Sequence, residues 1–553
     1  MLKKVITDVS LLLSIIILFA LAQPNLITVQ GIPILAYVMY LPLFLLVRRL
    51  SWKTVWLYGF LCGVGCYCLF TYWLATFHPM GISVISSLYG FQFLLLFPVL
   101  KGASILLPDK GYLLQWLVLC AYEYIKTTGF AGFHYGVTAY THWRWTTFIQ
   151  CADIGGVWLL NALITFPSAW LSALLAPAFK GNTPDFKKIH MRNFIRHSYI
   201  PITVWALFYC LAWGYGFAVQ KDYSQNESLQ VALVQTNTDP WLGGYESYKR
   251  DLVTLKKLSS EALKNNPDID FIVWPETSFV PRIEWHYKHR YSQETYDLVH
   301  DLLNFIDSAS VPFVIGNDYG TDGYTRTGSY DVVDYNAVLL FKPGVNVIPP
   351  EPDMYVKMHL VPFTEFFPYD KYFPKIYQLL LNGDTHMWEP GIVPSVFTIQ
   401  NLSFGTPICF EDTFGYIGRR FVNNGAQAFI NLSNDAWSKS LACQYQHLSM
   451  AVFRSVENRV PSVRSTASGQ TCIIDPNGRI TAMAEPFTET YLVGDIPVLN
   501  KSKKTLYTQY GDYAGKFFAA AALILYLFFI IVKIYNKVTI SKSSMEKKRS
   551  KAE

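Results

Sequence analysis

The chain carries little charge for its size. Only 16% of its 553 residues are Asp, Glu, Lys or Arg, whereas 51% are hydrophobic. Residues 9–47 and 54–100 contain no charged side chain at all, and soluble enzymes do not carry uncharged apolar runs of this length. This shortage of charge argues against an ordinary soluble protein and predicts several membrane-spanning helices.

The sequence also lacks the patterns of several common binding sites. Cys66-Tyr67-Cys68 does not have the spacing of a zinc pair, and the sequence has no glycine-rich phosphate loop and no basic stripe interleaved with aromatic residues. We therefore expect no metal, no dissociable cofactor and no nucleic-acid partner. Cys443 and Cys472 could pair in an oxidising compartment and leave Cys409 free, a question that the sequence leaves open.

Turn signals divide the apolar runs into individual spans. A bilayer core of roughly 30 Å requires about 20 apolar residues per helix, and residues 23–25 and 78–81 carry Pro, Asn and Gly breaks. The first run could instead be a cleaved signal peptide, since Ala20-Leu21-Ala22 offers a small-residue cleavage site. The predicted helices lie near 8–22, 32–47, 55–77, 82–100, 112–127, 155–177, 199–219 and 514–533.

Lysine and arginine collect on one side of the membrane if the chain crosses it eight times. These clusters lie near residues 3–4, 48–53, 101–110, 180–197 and 547–549. Cations mark the cytoplasmic side, so we expect residues 221–512 on the periplasmic side of a bacterial inner membrane. The predicted domains are a seven-helix transmembrane domain (1–220), a catalytic domain (221–512), and a C-terminal helix with a basic cytoplasmic tail (513–553).

Residues 221–512 have the composition of a water-soluble α/β domain. Short β-branched runs alternate with amphipathic helical periods, which is typical of stacked layers of sheet and helix. The predicted strands are 229–235, 271–274, 311–315, 335–342, 403–409, 427–432, 462–474 and 491–496. The predicted helices are 246–265, 292–308, 414–423 and 444–458.

Three residues of this domain have the chemistry needed to form an acyl-thioester. A free thiol is mostly protonated at neutral pH, so Cys409 needs a neighbouring base or cation to become nucleophilic. Glu276, after an apolar strand, is the candidate base. Lys357 is the candidate cation for the thiolate and the tetrahedral oxyanion, with the backbone N–H of Phe410 as a second donor.

The sequence segments around these residues resemble those of a known family. The order Glu, Lys, Cys is similar to the nitrilase superfamily, and the added spans resemble its membrane-bound branch, the apolipoprotein N-acyltransferases. The resemblance covers essentially the whole chain. It is carried by Trp274-Pro-Glu276, Lys357-Met-His-Leu-Val-Pro-Phe-Thr-Glu365, Cys409-Phe-Glu-Asp412, Asn434-Asp-Ala-Trp437, Gln446-His447, Ile474-Asp-Pro-Asn-Gly478 and Glu123-Tyr-Ile-Lys126.

The resemblance implies a multi-pass α-helical membrane domain joined to an extracytoplasmic α-β-β-α sandwich. It also implies a two-stage reaction without a cofactor. Cys409 takes an acyl chain from a phospholipid such as phosphatidylethanolamine. The thioester then acylates the α-amino group of the N-terminal diacylglyceryl-cysteine of a lipoprotein. Two alternatives remain: a membrane-tethered amidase, in which water resolves the thioester, and a transporter or assembly protein with a degenerate domain.

The resemblance also assigns supporting roles. Glu365 and Glu411 match acidic positions expected to orient Lys357 and the thiol. Trp241 resembles an aromatic position of the family near the substrate entrance, and Phe410 stands where the family often has Tyr. Phe363, Phe366 and Phe367 are candidates to line the acyl entrance, with packing inside the domain as the alternative. The apolar segments 279–291 and 366–392 are long for plain connections. We expect them to be mobile flaps that dip into the lipid headgroups.

Overall fold

The chain folds into two compact units. The computed structural model describes residues 2–77, 79–107, 109–324, 330–381, 387–499 and 504–549. The first unit comprises Met1–His142, Val157–Gly214 and Asp512–Glu553, and the second comprises Trp143–Gly156 and Tyr215–Gly511. The second unit therefore includes a short segment, 143–156, that precedes the last helices of the first.

The first unit is helical. The helices up to residue 219, which belong to this unit except for α7 and the end of α9, are α1 (Leu2–Ala22), α2 (Leu41–Arg49), α3 (Val55–Phe70), α4 (Leu74–Phe77), α5 (Pro79–Leu106), α6 (Gly111–Ile125), α7 (Ala152–Gly155), α8 (Val157–Leu175) and α9 (Met191–Val219). Among the described residues, five helical segments are long and apolar enough to cross a membrane. They are Leu2–Ala22, Met80–Leu106, Val157–Leu175, Ser198–Val219 and Tyr513–Ile540.

The predicted continuous helices over 32–47 and 55–77 are wrong. The first is a 3-10 turn, Pro33–Tyr37, followed by α2, which has only nine residues. Pro42 lies in the first turn of α2, where a missing amide hydrogen is tolerated. In the interior of a longer helix the same proline would remove a hydrogen bond and clash with the preceding turn, so a new helix begins there. In the second, α3 ends after 16 residues, and the Thr71 hydroxyl bonds the Tyr67 carbonyl oxygen at 2.6 Å.

The second unit contains two six-stranded sheets. The strands are β1 (Ser228–Gln235), β2 (Phe271–Val273), β3 (Phe313–Tyr324), β4 (Tyr330–Phe341), β5 (Asp353–Val356), β6 (Val396–Ile399), β7 (Leu402–Gly405), β8 (Ala428–Ser433), β9 (Ser462–Thr466), β10 (Cys472–Ile474), β11 (Ile480–Met483) and β12 (Thr490–Pro497). The sheet orders are β12-β1-β2-β3-β4-β5 and β11-β10-β9-β8-β7-β6. Each has a parallel centre, β1-β2-β3 or β7-β8-β9, and antiparallel edges.

Helices cover the sheets. The helices of the second unit are α10 (Tyr245–Asn265), α11 (Ile283–Lys288), α12 (Gln293–Asp307), α13 (Pro374–Leu381), α14 (Gly415–Asn423), α15 (Leu441–Asn458) and α16 (Leu506–Tyr510), and α17 (Tyr513–Arg549) belongs to the first unit. The amphipathic helices α10 and α12 bury their apolar faces against the first sheet. The two sheets face each other, since the Ser465 hydroxyl donates to the carbonyl oxygens of Val234 and Val273. This arrangement confirms the predicted fold class.

Two predicted strands are wrong in ways that matter for the site. The strand predicted over 403–409 ends at Gly405, because Pro407 has no amide hydrogen to donate to a neighbouring strand. Cys409 instead begins a 3-10 helix, Cys409–Thr413. The strand predicted over 462–474 is the hairpin of β9 and β10, with Ser468-Gly469 in the turn. Cys443 and Cys472 are separate buried thiols, so the pairing left open by the sequence is absent.

Candidate active site

The three residues predicted to carry the chemistry lie just beyond strand ends. Glu276 follows β2 through Trp274 and Pro275, and Lys357 is the first residue after β5. Cys409 begins the 3-10 helix that follows β7. The structure brings the three together. Glu276 and Lys357 lie close enough to Cys409 for their charges to shift the pKa of its thiol. Strand ends are where α/β architectures collect functional side chains.

Lys357 is a fully buried cation between two carboxylates. Its Nζ lies 3.2 Å from Oε1 of Glu276 and 2.9 Å from Oε1 of Glu365, and its side chain has no exposed surface. Burial alone would lower the pKa of Lys357, but the carboxylates of Glu365 and Glu276 outweigh it and hold the pKa above its usual range. Lys357 therefore remains an ammonium that can donate to a developing oxyanion.

Glu276 is held by three donors. Besides Lys357, the side-chain amide of Asn336 donates to Oε1 at 2.8 Å, and the backbone N–H of Asn434 donates to Oε2 at 3.0 Å. Asn336 comes from β4, and Asn434 follows β8 of the opposite sheet. The carboxylate is therefore oriented by both sheets, as a positioned general base requires.

Glu365 completes the surroundings of Lys357. Its other carboxylate oxygen, Oε2, accepts the backbone N–H of Val361 at 2.9 Å. Burial raises the pKa of Glu365, the Lys357 ammonium lowers it, and the nearby Glu276 charge raises it again. The two carboxylates thus compete for one cation, which makes Lys357 the electrostatic centre of the cluster.

Glu411 connects the two halves of the site through the backbone. It accepts the Tyr355 hydroxyl at 2.8 Å and the backbone N–H groups of Met358, His359 and Ile408 at 2.8–2.9 Å. Burial raises the pKa of Glu411 to about 7, although the N–H groups of Ile408 and His359 lower it. Its contacts fix the chain after Lys357 to the residue before Cys409.

Cys409 is half-buried and sits at a backbone kink. Its φ is +47°, a left-handed value that costs a non-glycine residue roughly 1–3 kcal/mol and persists only where its surroundings impose it. The Asn431 amide imposes it by donating to the carbonyl oxygens of Pro407 (3.0 Å) and Cys409 (3.3 Å). The next N–H, that of Phe410, lies in the first turn of the 3-10 helix, where amides lack helical acceptors.

The thiol of Cys409 is kept protonated in the resting protein. Burial raises its pKa well above the usual range, and the negative charge of Glu276 raises it further. The Lys357 ammonium and a hydrogen bond with Ser433 lower the pKa, and the charge of Asp435 raises it. A base must therefore remove the proton as the thiol attacks, which is a role that Glu276 is placed to fill.

The predicted substrate-contact residues lie in several environments. Phe410 is buried and packs edge-on against Phe414, with ring centroids 4.9 Å apart. Phe363 is 37% exposed, and its N–H donates to the carbonyl oxygen of Phe366, which is half-buried. Trp241 is 44% exposed on the loop between β1 and α10. Their substrate contacts remain predictions.

Several residues that shape the site were not predicted. They are Asn336, Tyr355, Asn431, Ser433, Asn434 and a buried cluster of Asp412, Asp435, His447 and Arg464. Two sequence signals could have marked most of them. Asp412, Asn434, Asp435 and His447 lie in segments that resemble the family, and an Asn inside an apolar strand, as at Asn336 and Asn431, must be hydrogen-bonded when buried. Within the described ranges, no group of three or more His, Cys, Asp or Glu side chains could hold a metal ion.

Two family models and a solved structure match parts of the chain. The carbon-nitrogen hydrolase family matches residues 230–500, and the apolipoprotein N-acyltransferase N-terminal domain matches residues 17–170. A crystal structure of Saccharomyces cerevisiae Nit3, a nitrilase superfamily member, aligns with a TM-score of 0.34 at 19% identity, covering 50% of this chain and 92% of its own.

Full-length relatives give the family directly. Apolipoprotein N-acyltransferase 1 of Treponema denticola is 43% identical over 97% of this chain and 98% of its own length. The Treponema pallidum protein of the same name is 44% identical over 92% of this chain and 93% of its own. The apolipoprotein N-acyltransferase of Borreliella burgdorferi is 28% identical over 90% of this chain and 91% of its own. The chain belongs to the apolipoprotein N-acyltransferase family.

Proposed function

We propose that this enzyme moves an acyl chain from a phospholipid to the α-amino group of the N-terminal diacylglyceryl-cysteine of lipoproteins, through a thioester on Cys409. The observation that carries the proposal is the buried cluster in which Lys357 bridges Glu276 and Glu365 beside that thiol. A thiol, a base and a fixed cation are the groups that acyl transfer requires.

The first half-reaction forms the thioester. Glu276 takes the proton of the Cys409 thiol as the sulfur attacks the ester carbonyl of a phospholipid such as phosphatidylethanolamine. The Lys357 ammonium and the Phe410 N–H stabilise the tetrahedral oxyanion. As the C–O bond breaks, Glu276 returns the proton to the leaving oxygen, and a lysophospholipid is released.

The second half-reaction uses the same groups to transfer the acyl chain from Cys409 to the lipoprotein. Glu276 accepts a proton from the lipoprotein's α-ammonium, and the free amine attacks the thioester carbonyl. The oxyanion is again stabilised by Lys357 and the Phe410 N–H. When the C–S bond breaks, one proton returns to the sulfur and the other leaves to solvent, so an amide and the free thiol remain.

We further propose that the second unit lies on the periplasmic side of a bacterial inner membrane. The support is the distribution of cations. Near residues 3–4, 48–53, 101–110, 180–197 and 547–549 they fall on one side if the chain crosses the membrane eight times, as the sequence predicts, and cytoplasmic loops are enriched in Lys and Arg. Five of the described helical segments are long and apolar enough to cross, so the other crossings remain predictions. This orientation places the site on the side where mature lipoproteins present their N-terminal cysteine.

The exposure of α13 supports the predicted flap over 366–392, whereas buried contacts limit the predicted flap over 279–291 to its second half. No residue of α13 is buried, and Leu379 is 68% exposed, which leaves an apolar helix available to lipid. Residues 382–386 of that segment lie outside the described residues. In contrast, the first half of 279–291 is fixed, because Phe279 and Ile283 are buried and the Asn317 amide bonds the Phe279 carbonyl at 2.6 Å.

Mass spectrometry of the intact protein tests the proposal. After incubation with phosphatidylethanolamine, we expect the parent to gain one acyl-sized mass increment that hydroxylamine removes, because hydroxylamine cleaves thioesters. Adding a diacylglyceryl-cysteine peptide should discharge the increment and yield an N-acylated peptide.

Cys409→Ala is the control for the site of acylation, and Cys443→Ala is the matched control for loss of a buried thiol elsewhere in the unit. An increment on Cys409→Ala, or none on the parent, would contradict the assignment of the nucleophile. Discharge into free fatty acid at the same rate with and without the peptide would instead identify a hydrolase.

A further inference from the structure

A second buried charged cluster lies next to the nucleophile. Nε2 of His447 is 2.7 Å from Oδ1 of Asp412, and its Nδ1 is 3.0 Å from Oδ1 of Asp435. The Arg464 guanidinium contacts Asp412 directly and lies 3.6 Å from Asp435. The four side chains are at most 5% exposed, so their charges are not screened by water.

The hydrogen-bond pattern defines the charge of the histidine. A carboxylate only accepts hydrogen bonds, so a ring nitrogen facing one must carry a hydrogen. Both ring nitrogens of His447 have a carboxylate oxygen as their nearest partner, at 2.7 Å and 3.0 Å, and the Arg464 guanidinium is farther from Nδ1, at 3.5 Å. We therefore take the ring to be an imidazolium. The cluster then contains two anions and two cations, and this balance is what makes burial of four charges tolerable.

The cluster is connected to the site at two points. Asp412 lies on the same 3-10 helix as Cys409. Asp435 follows Asn434, whose N–H holds Glu276. The charge of Asp435 also raises the pKa of the Cys409 thiol, along with that of Glu276 and against that of Lys357. A change in the net charge of the cluster therefore changes the pKa of the Cys409 thiol.

We propose that His447 is a positioning residue whose positive charge holds Asp412 and Asp435 in place and prevents their negative charge from suppressing the reactivity of Cys409. The groups that face His447 are Asp412, Asp435 and Arg464. The buried Cys443 thiol lies one turn earlier on the same helix, α15. This inference rests on the proposed role of Cys409 as nucleophile.

The pH dependence of thiol alkylation tests the proposal without a lipid substrate. Iodoacetamide labelling of the Cys409 peptide is followed by mass spectrometry across a pH series, with Cys409→Ala as background. In His447→Gln, the uncompensated carboxylates should raise the midpoint pH by about one unit, which makes alkylation about tenfold slower below the midpoint. In His447→Gln/Asp435→Asn, the cluster is balanced again and the midpoint should return towards the parent value.

Asp435→Asn alone gives a second measurement with an isosteric side chain. It removes one negative charge, so the midpoint should fall below that of the parent. His300→Gln is the matched control, because His300 is hydrogen-bonded to Tyr296 on α12 of the same unit. Its midpoint should equal that of the parent.

Three outcomes would overturn the inference: an unchanged midpoint in His447→Gln, a double variant that stays as high as the single one, or an unchanged or raised midpoint in Asp435→Asn. Loss of packing alone does not predict that a second substitution restores the first. Acylation by phospholipid in the parent is measured separately, so failure of the proposed function is distinguishable from failure of this inference.

Discussion

Lys357 faces two carboxylates, and this uneven pairing sets the charge of the site. A buried cation with one carboxylate would be neutral overall, whereas Glu276 and Glu365 together leave an excess negative charge. That excess suits a base that must accept a proton from a thiol and later from an ammonium. The same excess keeps Cys409 protonated at rest, which protects the sulfur from unproductive reactions before a substrate arrives.

Glu411 gives a pH-dependent prediction at the residue scale. Burial raises its pKa to about 7, so the folded protein binds this proton more tightly than the unfolded chain. This group's contribution to the free energy of unfolding is therefore most favourable below about pH 4.5, falls as the pH rises towards 7, and is constant above. Relative to the parent, Glu411→Gln should gain about 3 kcal/mol between pH 4.5 and pH 8.

The measurement is chemical unfolding of both proteins in detergent at several pH values. Glu411→Gln also loses hydrogen-bond acceptor capacity, which adds an offset at every pH, so the change with pH is the informative quantity. Glu351→Gln, at an exposed position, is the matched control for the loss of one carboxylate. A difference between variant and parent that stays constant with pH would contradict the prediction.

At the scale of elements, short irregular segments position the residues of the candidate site. The 3-10 helix Cys409–Thr413 turns Cys409, the proposed nucleophile, out of the sheet, and the loop after β8 supplies the N–H that holds Glu276. Helix α13 is the opposite case, an element with an apolar sequence and no buried residue. Tyr377 of this helix stacks on Phe367, but Ile376 and Leu379 are left 45% and 68% exposed.

Substitution on α13 tests its contact with lipid. In Ile376→Ser/Leu379→Ser, we expect the rate of acylation from phospholipid vesicles to fall by about thirtyfold or more, because the two side chains together contribute on the order of 2–4 kcal/mol. Each apolar side chain contributes on the order of 1–2 kcal/mol on entering a membrane interface, and 1.4 kcal/mol is tenfold. The rate with a water-soluble short-chain donor should be unchanged.

Val345→Ser is the matched control, because Val345 is 77% exposed on the turn between β4 and β5. It should leave both rates unchanged. Equal losses with vesicles and with the soluble donor would mean that α13 supports the fold of the site and does not engage lipid.

At the scale of the whole molecule, the second unit is assembled from separate stretches of chain. Residues 143–156 join it through Arg459, which lies 2.7 Å from Asp153, and through the Gln150 amide, which donates to the Asn477 carbonyl at 2.9 Å. The chain therefore contributes to this unit before α8 and α9 and again after them. Truncation at the start of β1 would leave these buried polar partners unmatched.

The side of the membrane on which this unit lies can be measured with one introduced cysteine. In Val345→Cys, we expect a membrane-impermeant maleimide to label intact spheroplasts, because the exposed turn would face the periplasm. The parent is the control for labelling of native cysteines. Labelling that requires disruption of the inner membrane would place the unit in the cytoplasm and contradict the proposed orientation.

The sequence by itself determined the properties that depend on local composition. Long uncharged runs can be satisfied only in lipid or in a protein interior, and the alternation of strands with amphipathic helices specifies an α/β sandwich. The order of Glu276, Lys357 and Cys409, with the sequence segments around them, indicated the family. These signals are readable because each depends on neighbours in the chain.

Only the tertiary structure decided which groups meet. Asn336, Asn434 and His447 are separated in sequence from the side chains they hold, and nothing in their own segments specifies those partners. The broken helices at 32–47 and 55–77 and the early end of β7 depend on single prolines or hydroxyls in runs that otherwise read as regular. Buried polar groups must find partners wherever the fold provides them, so their pairing is a property of the folded chain.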